Sequence, residues 1–247
     1  MNIPLDAVRQ SLKQLKLAVM AAQLETVLDD AGRHNRDTLT VLKLLLDMEQ
    51  EARWHNSISR RFVQSRLTEK NTIDQFDFHH HKSREDNKQN ILALLNLDFI
   101  PHKRDVILIG NPGTGKTMLA KCIALAACQA NLKVLFTTAT DMINHLVAAD
   151  ADGSLLKKLH TYSTPDLLIC DELGYLPLGQ QGSNLFFQVI SQRHRQKSTI
   201  LTTNLPFADW GKVFDSTTVA TAIADRLVYN SQVLILGGQS YRRKQKE

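Results

Sequence analysis

Apolar residues Leu12, Leu15, Val19, Met20, Leu24, Val27, Leu28 and Ala31 recur at steps of three and four, which places them on one stripe of an α-helix. Gly32 and Asn35 are natural stops for it. After Asp37, whose side chain suits an N-cap, a second helical pattern runs through Leu39, Leu42, Leu46, Ala52, Trp54, Ile58 and Phe62. Aromatics at helical spacing pack inward as a rule, so Trp54, Ile58 and Phe62 are expected in a core. Residues 1–70 therefore read as a helical domain suited to docking a protein partner.

The stretch NTIDQFDFHHHKS at 71–83 loses this periodicity and reads as a linker. His79, His80 and His81 lack a nearby cysteine or an i, i+4 partner, so they read as linker residues and not as metal ligands. A further helix over Arg84–Leu97 completes a connecting region at 71–104 and leads into a core at 105–247. There, short β-branched runs alternate with helical ones: Val106–Ile109, Val134–Thr138, Leu167–Cys170, Thr199–Thr202 and Val233–Leu236. These runs lack polar alternation, as strands covered on both faces do. The expected fold class is α/β, a three-layer sandwich around a parallel five-stranded sheet.

GNPGTGKT at 110–117 follows the first of these strands and precedes the helical run Met118–Ala130, the setting a phosphate-binding loop requires. Gly110, Asn111, Pro112, Gly113, Thr114 and Gly115 would turn backbone N–H groups towards phosphate oxygens, and Met118 would lie beside them at the positive end of the helix. Lys116 would reach the β- and γ-phosphates, and the Thr117 hydroxyl would coordinate Mg²⁺. The run LLIC at 167–170 ends in Asp171 and Glu172, where a parallel sheet presents its ligand. Asp171 would hold Mg²⁺ through its water shell, and Glu172 would polarise the attacking water. Asn204, after the fourth strand, either bonds the γ-phosphate or the water, or is a turn residue before Pro206.

The formal charge of +5 makes a polyanionic partner plausible and turns attention to the basic residues. Arg53, Arg60, Arg61 and Arg66 on the second helix, and Lys157 and Lys158 between the second and third strands, are candidates to face DNA; the alternative for each is a solvated surface. No apolar run is long enough to span a bilayer and no signal pattern opens the chain, so a cytoplasmic protein without a membrane partner is expected. Cys122, Cys128 and Cys170 lie in apolar segments and read as buried thiols.

With GNPGTGKT, LLICDE and ILTTN in this order, the chain resembles the AAA+ ATPases. More narrowly, it is similar to the IstB transposition helpers and the related DnaC-type helicase loaders. The narrower likeness rests on IDQFDF at 73–78, NLPFADWGKVF around Trp210, AIADRLVYNSQVLILGG at 222–238 and SYR at 240–242. The resemblance implies that Asn204 is sensor 1, Arg226 a trans-acting arginine finger and Arg242 the sensor-2 arginine; because only a short tail follows the fifth strand, the separate helical lid common in AAA+ proteins is not expected. It further implies an ATPase using ATP and Mg²⁺ that self-associates on double-stranded DNA and helps the transposase of the same element. A helicase loader, or an adaptor that binds nucleotide without turnover, is the alternative.

Overall fold

The computed structural model describes residues 4–241, and the chain divides into two compact units between Arg60 and Arg61. The first unit is helical: α1 (Leu5–Gln14), α2 (Ala18–His34) and the start of α3 (Thr38–Gln64). Its core is Met20, Leu24, Val27 and Leu45, flanked by Val41, Leu44 and Met48 among others.

Two expectations fail here for local reasons. The single helix expected through Ala31 breaks at Lys16, which takes a left-handed φ of 59°. The break is held from outside: the Arg53 guanidinium donates to the Lys16 carbonyl (2.8 Å), and the buried Glu49 carboxylate accepts from the backbone N–H groups of Val19 and Met20 (2.8 and 3.2 Å). A carboxylate distant in sequence thus caps the start of α2, where no local side chain does. The inward face of α3 is also a different one. Leu39, Leu42 and Trp54 are exposed, Trp54 by 49%, while Val41, Leu44, Leu45 and Met48 pack. The run TLTVLKLLLDM offers apolar residues on two faces, and periodicity cannot choose between them. Asp37 does cap α3, accepting from Leu39 and Thr40 N–H at 2.9 and 3.1 Å.

The second unit begins with the end of α3. Short 3₁₀ turns at Ile73–Gln75 and Phe78–His80 follow, then α4 (Lys82–Asp86) and α5 (Lys88–Leu94), the expected single helix being interrupted at Asn87. The stretch read as linker is packed: Phe76 is buried, and Ile73 and Phe78 lie against the same core. Beyond it come β1 (Asp105–Ile109), α6 (Lys116–Gln129), β2 (Val134–Thr138), α7 (Ala139–Ala151), α8 (Leu155–Ser163), β3 (Leu167–Leu173), α9 (Gly179–Arg193), β4 (Ser198–Thr203), α10 (Thr217–Val228) and β5 (Ser231–Ile235).

The five strands are all parallel, in the order β2-β3-β4-β1-β5. Alternate residues of β1 feed opposite cores: Ile107 joins the layer of α7, α9 and α10, whereas Val106 and Leu108 join that of α5 and α6. The sheet is therefore covered on both faces, a three-layer α/β sandwich. At its amino edge the fully buried Arg193 donates to the carbonyls of Tyr162, Pro165 and Ser198 and to Thr199 Oγ1. Among the described residues no helix is long and apolar enough to cross a membrane, and Cys122, Cys128 and Cys170 are buried and free of disulfides.

Candidate nucleotide site

At the carboxyl edge of the sheet β1 ends, and the chain turns through 110–115 into α6. The turn depends on Gly115, whose φ is +95°; a Cβ there would also lie 2.8 Å from Phe76 and 2.9 Å from Arg84. Lys116 opens α6, is only 6% exposed, and directs its ammonium into the loop at the carbonyls of Gly110 (2.6 Å) and Asn111 (2.9 Å). One cation, the positive end of a 14-residue helix and a glycine-lined cradle thus converge, which suits a polyphosphate.

Beside this loop stands a three-residue network. Thr117 Oγ1 donates to Asp171 Oδ1 at 3.0 Å, and Thr202 Oγ1 donates to the same oxygen. Thr202 also accepts from the Glu172 backbone N–H at 2.9 Å. The β3/β4 register shifts between Cys170 and Leu173, and Glu172 takes a left-handed φ of 63°, a conformation costing a non-glycine residue roughly 1–2 kcal/mol. The outcome separates the carboxylates: Asp171 is buried against Thr117, while Glu172 is exposed. Hydroxyl and carboxylate oxygens side by side form the kind of donor set that a hard divalent cation takes. Among the described residues there is no cluster of three or more His, Cys, Asp or Glu able to hold a metal by protein ligands alone.

Asn204 sits just past β4 beside Gly174, and its Oδ1 is buried without a hydrogen-bond partner. A buried amide oxygen left open at the edge of a site is available to a ligand or a water. A plain turn residue would leave that oxygen solvated or bonded locally, and here it is neither.

No sequence motif marks Arg84. It is 2% exposed, donates from Nε and Nη2 to the Thr114 carbonyl (3.2 and 2.9 Å) and from Nη1 to the Asp77 carbonyl (2.7 Å), and lies 4.5 Å from the Phe76 ring centroid. Burial lowers its pKa, with the Asp77 carboxylate pulling the other way. It braces the loop from behind. A cavity of about 150 Å³ opens over the loop between Gln75, Asp77, Arg84, Met118 and Tyr241. Tyr241 arrives there because the chain after β5 crosses the loop, Leu236 N–H bonding the Ile109 carbonyl (2.8 Å) and Tyr241 N–H the Gly113 carbonyl (2.9 Å). His81 is not idle linker either: its Nδ1 caps α4 by accepting from Ser83 N–H.

The remaining candidates lie elsewhere. Arg226, near the end of α10, precedes the start of β5 and so sits at the amino edge, the opposite end of the sheet from the loop. Its guanidinium lies 4.6 Å from the Phe187 ring centroid and donates to the Ala222 carbonyl. Arg53 is tied to Glu49 and Lys16 in the first unit, where Arg60 is exposed. In the second unit Arg61 and Arg66 line one concavity, and Lys157 and Lys158 lie on α8. Arg242, like Arg243, lies outside the described residues.

The chain matches the family described as IstB-like ATP binding protein over residues 10–247. A Geobacillus stearothermophilus protein described as ATP-binding from insertion sequence IS5376 is 36% identical over 241 residues, covering 98% of this chain and 95% of that one. Its counterpart from insertion sequence IS21 of Pseudomonas aeruginosa is 35% identical, with 95% and 88% covered. Among solved structures the DnaC helicase loader is similar at a TM-score of 0.58 and 22% identity, covering 67% of this chain and 96% of that one. AMPPCP-bound DnaA from Aquifex aeolicus gives 0.59 at 19% identity, with 73% and 56% covered. At such identities the structural likeness is one of fold alone.

Proposed function

Because this chain belongs to the IstB-like ATP-binding proteins, we propose that it hydrolyses the ATP it binds, assembles with further copies of itself on duplex DNA, and so helps the transposase of its element engage target DNA. The observation carrying the hydrolytic reading is the division of labour between the adjacent carboxylates, Asp171 held by Thr117 and Thr202 and Glu172 turned out on a bulge. Lys116 and the start of α6 bind and orient the β- and γ-phosphates. Thr117 and Asp171 would hold Mg²⁺, which would supply neutralising positive charge beside the phosphates. Glu172 orients and deprotonates the attacking water, and Asn204 fixes that water or the γ-phosphate through its open amide.

Arg226 cannot serve the loop of its own chain from the opposite edge of the sheet, a span of about 13 Å along β1 alone at 3.3 Å per residue. It is assigned to the site of a neighbouring copy, where it stabilises charge on the transferred phosphoryl group and couples turnover to assembly. We assign Arg242 the sensor-2 role on its place in the SYR run at 240–242. Association with a transposase rests on the insertion sequences named for the relatives. The fold likeness to DnaC favours one rival, a helicase loader acting on single strands.

The test is phosphate release with and without duplex DNA, alongside sedimentation of the native chain and Glu172→Gln. The proposal expects DNA-stimulated turnover in the native chain and an ATP-retaining, larger species in the variant. Normal hydrolysis by Glu172→Gln would reject the assignment of Glu172, and a chain that never releases phosphate would leave a nucleotide-binding adaptor.

A further inference from the structure

Away from the nucleotide site, at the amino end of the edge strand β2, a concavity of about 430 Å³ is lined by Arg61, Arg66 and Lys133, with no carboxylate among its lining side chains. Its construction is specific. The chain leaves α3 at Ser65, whose carbonyl accepts from Phe136 N–H in β2 (2.8 Å), so this segment lies along the open edge of the sheet. Arg66 follows in the left-handed region at φ 62°, and its guanidinium charge opposes the rise that burial gives the pKa of the buried Tyr162. Arg61 is fixed by Nε bonds to the Asn131 carbonyl and Oδ1 (3.2 and 3.1 Å), which leaves its terminal nitrogens for another acceptor. Asp166, the nearest acid in the chain, accepts instead from Lys197 Nζ (2.6 Å) and from Lys133 backbone N–H (3.0 Å).

The far wall is α8. Thr161 and Thr164 line the concavity, and Lys157 stands one turn earlier on the same helical face as Thr161. From Thr164 in the pocket back to Lys157 beyond it, this wall runs for about 10 Å at 1.5 Å per residue. A free phosphate would need only one end of it, whereas one DNA strand advances about 3.4 Å per phosphate and would place about three along it. The track combines arginine forks, exposed lysines and a lining without carboxylates, the character of a phosphate-backbone contact with no sequence preference.

Resting on the proposed duplex-DNA function, we infer that the Arg61–Arg66–Lys133 concavity and the adjoining Lys157 face of α8 grip the phosphate backbone of the bound duplex. This selects among the basic residues: Arg53, already tied to Glu49 and Lys16, is structural.

The experiment is fluorescence anisotropy of the full chain with a labelled duplex of mixed sequence across a salt series, in the nucleotide state that binds best. Three proteins are compared: native, Arg66→Ala/Lys133→Ala, and Arg104→Ala/Lys103→Ala. The last removes the same charge at the exposed turn before β1. The first double variant should bind at least tenfold more weakly at physiological salt. Its log–log salt slope should be shallower by about 1.8, at about 0.9 per lost phosphate contact. The control pair should stay within twofold of native. Both Arg66 and Lys133 are exposed, so folding should persist, and Lys133→Gln alone, with a slope change of about 0.9, provides a second reading. An unchanged slope in the first double variant while native binds duplex overturns the site alone. Equal weakening in the control shows a net-charge effect and overturns it as well. Tighter native binding to single strands overturns the duplex assignment, and a native chain that binds no DNA overturns the parent reading with it.

Discussion

The two edges of the sheet treat polar groups in opposite ways. At the amino edge Arg193 is 1% exposed and hydrogen-bonded to four carbonyls and a hydroxyl, and Asp105 accepts from Thr199 N–H at 2.7 Å. At the carboxyl edge Asn204 Oδ1 is buried and open, and Glu172 is exposed on a left-handed residue. A polar group whose bonding capacity is filled from within the fold stabilises it; one held short of that is available to a ligand. Within the amino edge itself Arg193 is consumed by carbonyls, whereas Arg226 is half-buried over Phe187 and donates to the Ala222 carbonyl.

Breaking the filled edge should have the largest effect on the fold. Arg193→Ala strands several buried carbonyls and should cost about 3–5 kcal/mol in denaturant unfolding, where the truncation of a buried bonded charge commonly falls. A loss below 1 kcal/mol would mean that water replaces the guanidinium readily. At the open edge the cost should fall on chemistry. Glu172→Gln should lower ATP turnover by about 10²–10³-fold, or roughly 3–4 kcal/mol of barrier, with its unfolding midpoint within a degree or two of native.

Asn204→Ala sharpens the contrast further. It should reduce turnover by about tenfold while leaving stability unchanged or slightly higher, because it removes an unpartnered buried oxygen. A marked loss of stability would show that the amide is a structural bond after all. The smallest effect belongs to Asp105, whose pKa burial raises to about 7 despite the opposing Thr199 bond and Arg193 charge. A carboxyl with a folded pKa above its unfolded value favours folding while protonated, and that contribution is lost as pH rises through about 7. Asp105→Asn should therefore flatten the fall in unfolding free energy between weakly acidic and weakly alkaline buffer, by about 1–2 kcal/mol.

Much of the carboxyl edge was legible in the sequence because its chemistry is contiguous. GNPGTGKT, Asp171, Glu172 and Asn204 each follow an apolar run that reads as a strand, and the fold brings those strand ends together. Arg84 was not legible: it acts on Thr114 across 30 residues, from a stretch without periodicity. Thr202 was hidden for another reason, since a threonine inside a strand is ordinary until the β3 bulge turns Glu172 N–H towards it. In the first unit periodicity cannot pick the inward face of α3 because both faces carry leucine, and the kink at Lys16 depends on Glu49, a partner about thirty residues away that no local rule anticipates.

The separation of Arg226 from the phosphate loop also sets a stoichiometry. On the proposed reading each subunit lends its arginine to one neighbour and receives one from the other, so the contact is head-to-tail and the assembly has a direction. A closed ring of such subunits has as many complete sites as chains. An open spiral always has one fewer, its last member holding ATP that it cannot turn over efficiently. That idle site would mark the growing end, where the next copy adds and where a partner could tell a finished assembly from an unfinished one.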